Sequence, residues 1–126
     1  MPEISYDYAV IRIVPRVERS EFINAGVILF ARTERFLDAR VHLDRDRLHA
    51  IFPDAAIDEI EGHLALIPKV CAGGATAGPI GDLPQPDRWH WLVSPRSTII
   101  QTSEVHSGIC ENPANELEHL MKKLVG

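Results

Sequence analysis

The chain is poor in the residues and spacings that build metal and nucleotide sites. It has two cysteines and six histidines in 126 residues, and none falls into a Cys-x-x-Cys or His-x-x-x-His spacing, which removes the common zinc motifs. Lysine is scarce, three residues against ten arginines, and every lysine lies beyond residue 68. The glycines at 73, 74, 78 and 81 match neither Gly-x-Gly-x-x-Gly nor a P-loop, and the P-loop lysine is missing. No cofactor and no metal are expected. Long apolar runs are also lacking, since none approaches the roughly 20 residues that cross a bilayer. The opening Met-Pro-Glu-Ile-Ser-Tyr-Asp carries two acids and no basic lead, so no signal peptide is expected. Cys71 and Cys110 are then expected to stay reduced in the cytoplasm.

Excess positive charge is absent too. The net charge is −5, and residues 1–47 balance, with eight arginines and eight acids. Residues 48–126 hold five basic residues and ten acids and carry the whole excess. Neutralising phosphates drives affinity for duplex nucleic acid, so an acidic domain argues against that partner. The arginine-rich first half can still form a local anion site, because guanidiniums make forked contacts to carboxylates and phosphates.

What remains is globular composition, 45% hydrophobic and 25% charged, in a length that makes residues 1–126 one domain. Tyr6 to Val14 reads as a strand ended by Pro15, and Pro15 to Phe22 as a charged loop. Ile23 to Ala31, nearly all apolar, reads as a central strand buried on both faces. Gly26 inside it marks a bulge or a close backbone approach. Phe36 to Leu43 alternates, with Leu37, Ala39, Val41 and Leu43 on one face. Three strands with short connections make an antiparallel meander.

Asp44 is expected to cap a helix carrying Leu48, Ile51 and Phe52, stopped by Pro53. Asp54 is expected to cap a longer helix with Ile57, Ile60, Leu64 and Ile67 on one stripe, kinked or ended at Pro68. Ala72 to Pro86 reads as a mobile loop. Arg88 to Val93 and Thr98 to Thr102 read as a late strand pair. Asn112-Pro113 then opens an amphipathic helix with Leu117, Leu120, Met121 and Leu124 on its apolar face. The expected fold is α+β: a single antiparallel sheet of about five strands, the N-terminal three-stranded meander plus the late strand pair, with helices mainly on one face.

Four constellations could carry chemistry. Glu104, His106 and Cys110 lie in one short span, and a cysteine nucleophile needs such a base and orienter. One segment alone fixes no oxyanion hole, however, and the alternative is a buried small thiol beside a structural histidine. Asp44, Asp46 and His49 cluster, although capping and the helix dipole account for both aspartates. Trp89 and Trp91 would share a strand face and could stack single-stranded bases, whereas tryptophans on a strand more often pack under a helix. The fourth is an anion- or partner-binding surface at Arg12, Arg16, Arg19, Glu21, Asn24, Arg96, Ser97 and His106, with Thr98 beside them. Arginine forks and hydroxyls suit phosphate and carboxylate alike. The competing reading pairs these arginines with Asp7, Glu18 and Glu21 as structural ion pairs.

Several stretches together resemble a known family. They are Tyr6-Asp7-Tyr8-Ala9-Val10-Ile11-Arg12, Pro15-Arg16-Val17-Glu18-Arg19, Glu21-Phe22-Ile23-Asn24-Ala25-Gly26-Val27-Ile28-Leu29, Ser94-Pro95-Arg96-Ser97-Thr98 and Val105-His106-Ser107-Gly108. The chain resembles, over nearly its whole length, the small bacterial proteins called domain of unknown function 3037. That name assigns no activity and brings no catalytic residues. Such proteins are associated with genes for HipA-like kinases, so the resemblance implies a protein partner rather than a reaction. The expected function is therefore a cytoplasmic, non-enzymatic binding module, accessory to a partner protein such as a HipA-like kinase. The alternative is a phosphate- or nucleotide-binding protein, or an enzyme, using the arginine cluster with His106.

Overall fold

In the computed structural model, which describes residues 3–94 and 98–126, five antiparallel strands form one sheet. Strands β1 (Ile4–Ile13), β2 (Ile23–Ala31) and β3 (Phe36–Val41) form the expected meander, with β2 between the other two. The free side of β1 is shared by two short strands. β4 (Ile100–Thr102) pairs with Ile11–Ile13, and β5 (His106–Cys110) pairs with Ile4–Tyr8. The fold is α+β.

The late strands are not the expected ones. Arg88–Val93 is helical, the end of α3 (Gln85–Val93), and the second late strand is His106–Cys110. Trp89, Trp91 and Val93 mimic a two-residue period, but Pro86 suits a helix's first turn and Trp89 and Leu92, three apart, are the pair that becomes buried. Between β4 and β5 the chain kinks at Ser103. Its amide donates to Val10 O, while its hydroxyl accepts from the Val10 amide at 2.9 Å, standing in for a carbonyl. Two steps along β1, from Val10 to Tyr8, face three along its partner, from Ser103 to His106, which is a bulge.

Each face of the sheet has its own cover. On one, Ile11, Ile13, Ile28 and Phe30 meet Leu48 of α1 (Arg45–Ile51), Ile60 and Leu64 of α2 (Ile57–Ala72), and Trp89 and Leu92 of α3. On the other, Tyr6, Val27 and Leu29 meet Leu117 and Leu120 of α4 (Pro113–Leu124). Three helices thus lie on one face and one on the other. β2 is buried on both faces, as its apolar run implies, with Asn24 its only partly exposed residue. Gly26 serves both roles foreseen for it. A Cβ there would lie 2.4 Å from Arg40 O, and the β1–β2 register shifts beside it, between Ile11 and Arg12.

Local signals hold at two helix starts and fail at a third. Asp44 caps α1 by accepting from the Arg47 amide at 3.0 Å, and Asn112 caps α4 by accepting from the Asn115 amide at 3.1 Å. Asp54 does not cap α2, whose N-cap is Ala56 with no side-chain bond; Asp58 and Glu59 in the first turn supply the favourable charge instead. Pro68 does not end α2 either. A proline removes one backbone donor, and the buried stripe Ile60, Leu64, Val70 and Cys71 holds the helix on to Ala72.

Ala72–Pro86, expected as a mobile loop, contains a 3-10 segment, Ala75–Asp82, kinked at Gly78, whose φ is 71°. Gly74 donates to Gly81 O, and the Arg88 guanidinium caps the end of α2 through Val70 O (2.9 Å) and Cys71 O (2.6 Å). Among the described residues no helix is long and apolar enough to cross a membrane.

Candidate functional site

Because the meander is antiparallel, the exit of β1, the start of β2 and the exit of β3 meet at one end of the sheet. α1 begins just beyond β3, so it lies at that end as well. Arg12 and Asn24 pair directly across β1 and β2, so their side chains share a face. Asn24 Nδ2 donates to Leu124 O at 3.0 Å, tying down the last turn of α4. The Arg12 guanidinium lies 4.2 Å above the Phe22 ring, a cation–π contact. Arg12 Nε and Asn24 Oδ1 are both buried and both lack a hydrogen-bond partner. A buried donor or acceptor left open is costly, and such a group calls for an explanation beyond local stability.

The charged loop turns back at Ser20, whose φ of 56° is in the left-handed region. Across this turn Arg19 pairs with Glu21 at 2.6 Å in full view of solvent, a contact worth little in stability that nonetheless neutralises Arg19. Arg16 lies 5.5 Å above the Phe52 ring, at the end of α1. A groove of about 460 Å³ separates Ser20–Ile23 from Arg47, Ala50 and Ile51 of α1. Phe22 is 46% exposed and Ile51, expected in the core, 40%. Among the described residues Arg12, Arg16 and Arg47 take part in no ion pair. The structural-ion-pair reading therefore holds for Arg19 with Glu21 and not for Arg12 or Arg16; Asp7 instead accepts from the Ser107 hydroxyl at 2.7 Å.

The sequence-derived residues divide accordingly. Arg12, Arg16, Arg19, Glu21 and Asn24 gather at this end of the sheet. Arg96 and Ser97 lie outside the described residues. Thr98 uses its hydroxyl locally, donating to Ile100 O at 2.7 Å. His106 pairs with Tyr8, four residues back along β1 from Arg12 and so roughly 13 Å away along the strand. Its ring packs on Tyr8, with centroids 5.3 Å apart, and its Nε2 lies 3.5 Å from Glu104.

Cys110 sits four residues further along β5, again roughly 13 Å from His106 in an extended strand and out of its reach. Burial, followed by the Glu116 carboxylate, raises the Cys110 thiol above its ordinary pKa, so it is a protonated thiol at neutral pH. Cys71, buried under the first face, is pushed up to about 12 by the same desolvation. The tryptophans form no stacking platform: on helix α3, Trp89 is buried against Phe30 and Trp91 is exposed. No group of three or more His, Cys, Asp and Glu among the described residues could hold a metal ion.

Residue-by-residue reading misses Phe22, Arg47 and Ile51. A signal was present for the last two, since Arg47, Ala50 and Ile51 lie three and four apart and form one helix face. Phe22 carries no comparable mark. It becomes meaningful only when Arg12 is found above it. No curated protein and no solved structure matches the chain. A family model does match, and over residues 8–125, from within β1 through the end of α4, the chain belongs to the family described as protein of unknown function (DUF3037).

Proposed function

We propose that the protein is a non-enzymatic binding module that docks an acidic segment of a partner protein in the groove between Phe22 and α1. The observation that carries this reading is that Arg47 lines an exposed apolar groove with Phe22 and Ile51, while Arg12 stacks on Phe22 and Arg16 on Phe52 nearby. None of these three guanidiniums pairs with an acid among the described residues, and Glu21, the acid in the groove lining, is paired with Arg19. Exposed aromatic and arginine side chains around a pocket are the usual anchors of a protein interface. Arg12 and Arg16 each stack on a separate ring, Phe22 and Phe52. Spread in this way, they suit several carboxylates along a peptide better than one convergent phosphate. The apolar floor adds a place for one large side chain between those carboxylates. A cytoplasmic partner is proposed, and a HipA-like kinase, implied by the family resemblance, is the first to test.

The experiment uses the full chain with fluorescein-labelled peptides that interleave Asp or Glu with Leu, read by anisotropy, alongside co-purification with a co-expressed HipA-like kinase. Binding should weaken at least about tenfold in the Arg16→Glu, Arg47→Glu double variant, and fall as salt rises, because the contact is a charged one. The melting temperature should fall only slightly, since neither side chain makes an ion pair and the exposed Arg16–Phe52 contact is worth about 0.5–1 kcal/mol. Unchanged affinity in the double variant would overturn the reading. Displacement by inorganic phosphate at concentrations where chloride does nothing would favour a phosphate site instead.

A further inference from the structure

We propose that the outer edge of β5 is a self-pairing surface, on which a second copy of this chain adds its own β5 antiparallel to the first. This goes beyond the arginine groove and does not depend on it, because β5 lies along the other half of β1.

The two edges of the sheet are unlike. The β3 edge is guarded by charge: Arg40 bonds Asp38 at 2.7 Å and Glu118 of α4 at 2.7 Å. Charged side chains of this kind discourage strand addition. From Val105 to Cys110 the other edge has no acid, no lysine and no arginine. It carries instead Val105, 45% exposed, and Ile109, at 63% the most exposed large apolar side chain among the described residues.

The backbone supplies the pairing groups. Val10 and Val14 turn their amides towards β4, so the even-numbered residues of β1 bond on that side. Their partners on β5, His106, Gly108 and Cys110, therefore turn their own amides and carbonyls inward. Ser107 and Ile109, with Val105 before them, point theirs outward.

A single register uses all three outward residues of both copies. Ser107 faces Ser107 of the second copy, and each Ile109 faces the other copy's Val105, making two apolar cross-strand pairs. Sliding the strands by two residues would set Val105 against Glu111 and lose both pairs. Ser107 and Ile109 stay on the same sheet face in both copies, as the two-fold axis requires. The Ser107 hydroxyl bonds Asp7, so that acid is already satisfied beside the joint. Since the guarded β3 edge cannot repeat the contact, pairing closes at a dimer with a continuous ten-stranded sheet.

The contact is small, so the dimer should dissociate on dilution. Sedimentation equilibrium of the full chain from about 10 μM to about 1 mM covers the range in which so small an interface assembles. Dimer should accumulate at the upper end, and Ile109→Lys should weaken it roughly tenfold or more, by removing both apolar pairs and adding an edge charge. Its melting temperature at low concentration should match the parent's. In a Cys110→Ser background, Ser107→Cys should cross-link into a covalent dimer on mild oxidation. Directly opposed hydrogen-bonded residues have Cα atoms about 5.5 Å apart, inside the disulfide range. A chain that stays monomeric to about 1 mM, with the thiol introduced by Ser107→Cys remaining reduced, overturns the proposal. So does a dimer that Ile109→Lys leaves intact, because that dimer uses another surface.

Discussion

The two faces of the sheet are covered in opposite ways. On one, α1, α2, α3 and the 3-10 segment form a continuous layer, with Trp89 stacked on Phe30 at 5.6 Å. On the other, a single helix, α4, sets Leu117 and Leu120 against Val27 and Leu29, steadied by the Tyr6 hydroxyl donating to Glu116 at 2.6 Å. α4 ends at Leu124, beside Asn24, and the sheet row beyond it holds Arg12 rather than an apolar residue. The difference teaches where a surface becomes free for binding. The short cover ends at the row from which Arg12 reaches Phe22, and at that same end of the sheet α1, the first helix of the thick layer, leaves Ile51 exposed across the groove.

The comparison can be broken first by truncation. Trp89→Ala should cost about 3–5 kcal/mol and Leu120→Ala about 2–5 kcal/mol, both by emptying buried volume. The thin face can collapse more easily around its cavity, so Leu120→Ala should fall nearer its lower bound. Chemical denaturation that ranks the two the other way would show that α4 carries as much of the fold as the three helices opposite.

A smaller effect sharpens the thin face alone. Gly108 lies against the Tyr6 ring, and a Cβ there would come 2.6 Å from Tyr6 Oη. Gly108→Ala should displace the ring and its bond to Glu116, at about 1–3 kcal/mol, the cost of overpacking together with a lost hydrogen bond. Tyr6→Phe should lose only the hydrogen-bond part, and an equal loss in both variants would contradict the steric account.

The smallest effect appears only in alkali and involves both faces. Burial pushes the Cys71 thiol on the thick face up from its usual 9.0 to about 12, so the fold favours the neutral thiol. Its contribution is complete below pH 9 and is lost as pH rises towards 12. Tyr6 on the thin face is raised by burial and by Glu116 from 10.0, so its contribution is complete below pH 10 and is lost above it. Cys110 on the thin face is raised from the same 9.0, so stability measured against pH should begin to fall near pH 9, and Cys71→Ala combined with Cys110→Ser should delay that onset to near pH 10. An onset unmoved by the two substitutions would mean that the thiols are reached by solvent at neutral pH.

The candidate surface was partly legible in advance. Arg12, Arg16, Arg19, Glu21 and Asn24 crowd a short stretch of chain, so their proximity follows from sequence distance. The groove at the same end of the sheet, of whose lining only Glu21 belongs to that set, was not legible, because Phe22 and Ile51 are 29 residues apart and look like ordinary apolar positions. Their exposure depends on how α1 settles beside the end of β2. His106 shows the reverse error of scale. Sequence reasoning can bring it to a sheet end with the arginines, but the pairing of His106 with Tyr8 keeps it along the strand.

By itself the sequence determined what local interactions decide: the meander of β1, β2 and β3, the Asp44 and Asn112 caps, the apolar stripe of α4 and the close approach at Gly26. Each depends on a period or a side chain acting within a few residues. Only the tertiary structure decided that Trp89 and Leu92 make a helix out of an alternating run. It alone placed β5 beside the first half of β1, set Arg12 over Phe22 and put Arg47 in the same groove. In these cases the local preferences of strand and helix nearly cancel. The choice then falls to apolar partners such as Phe30 and Tyr6, which lie 59 residues from Trp89 and 102 from Gly108, beyond the reach of any sequence period.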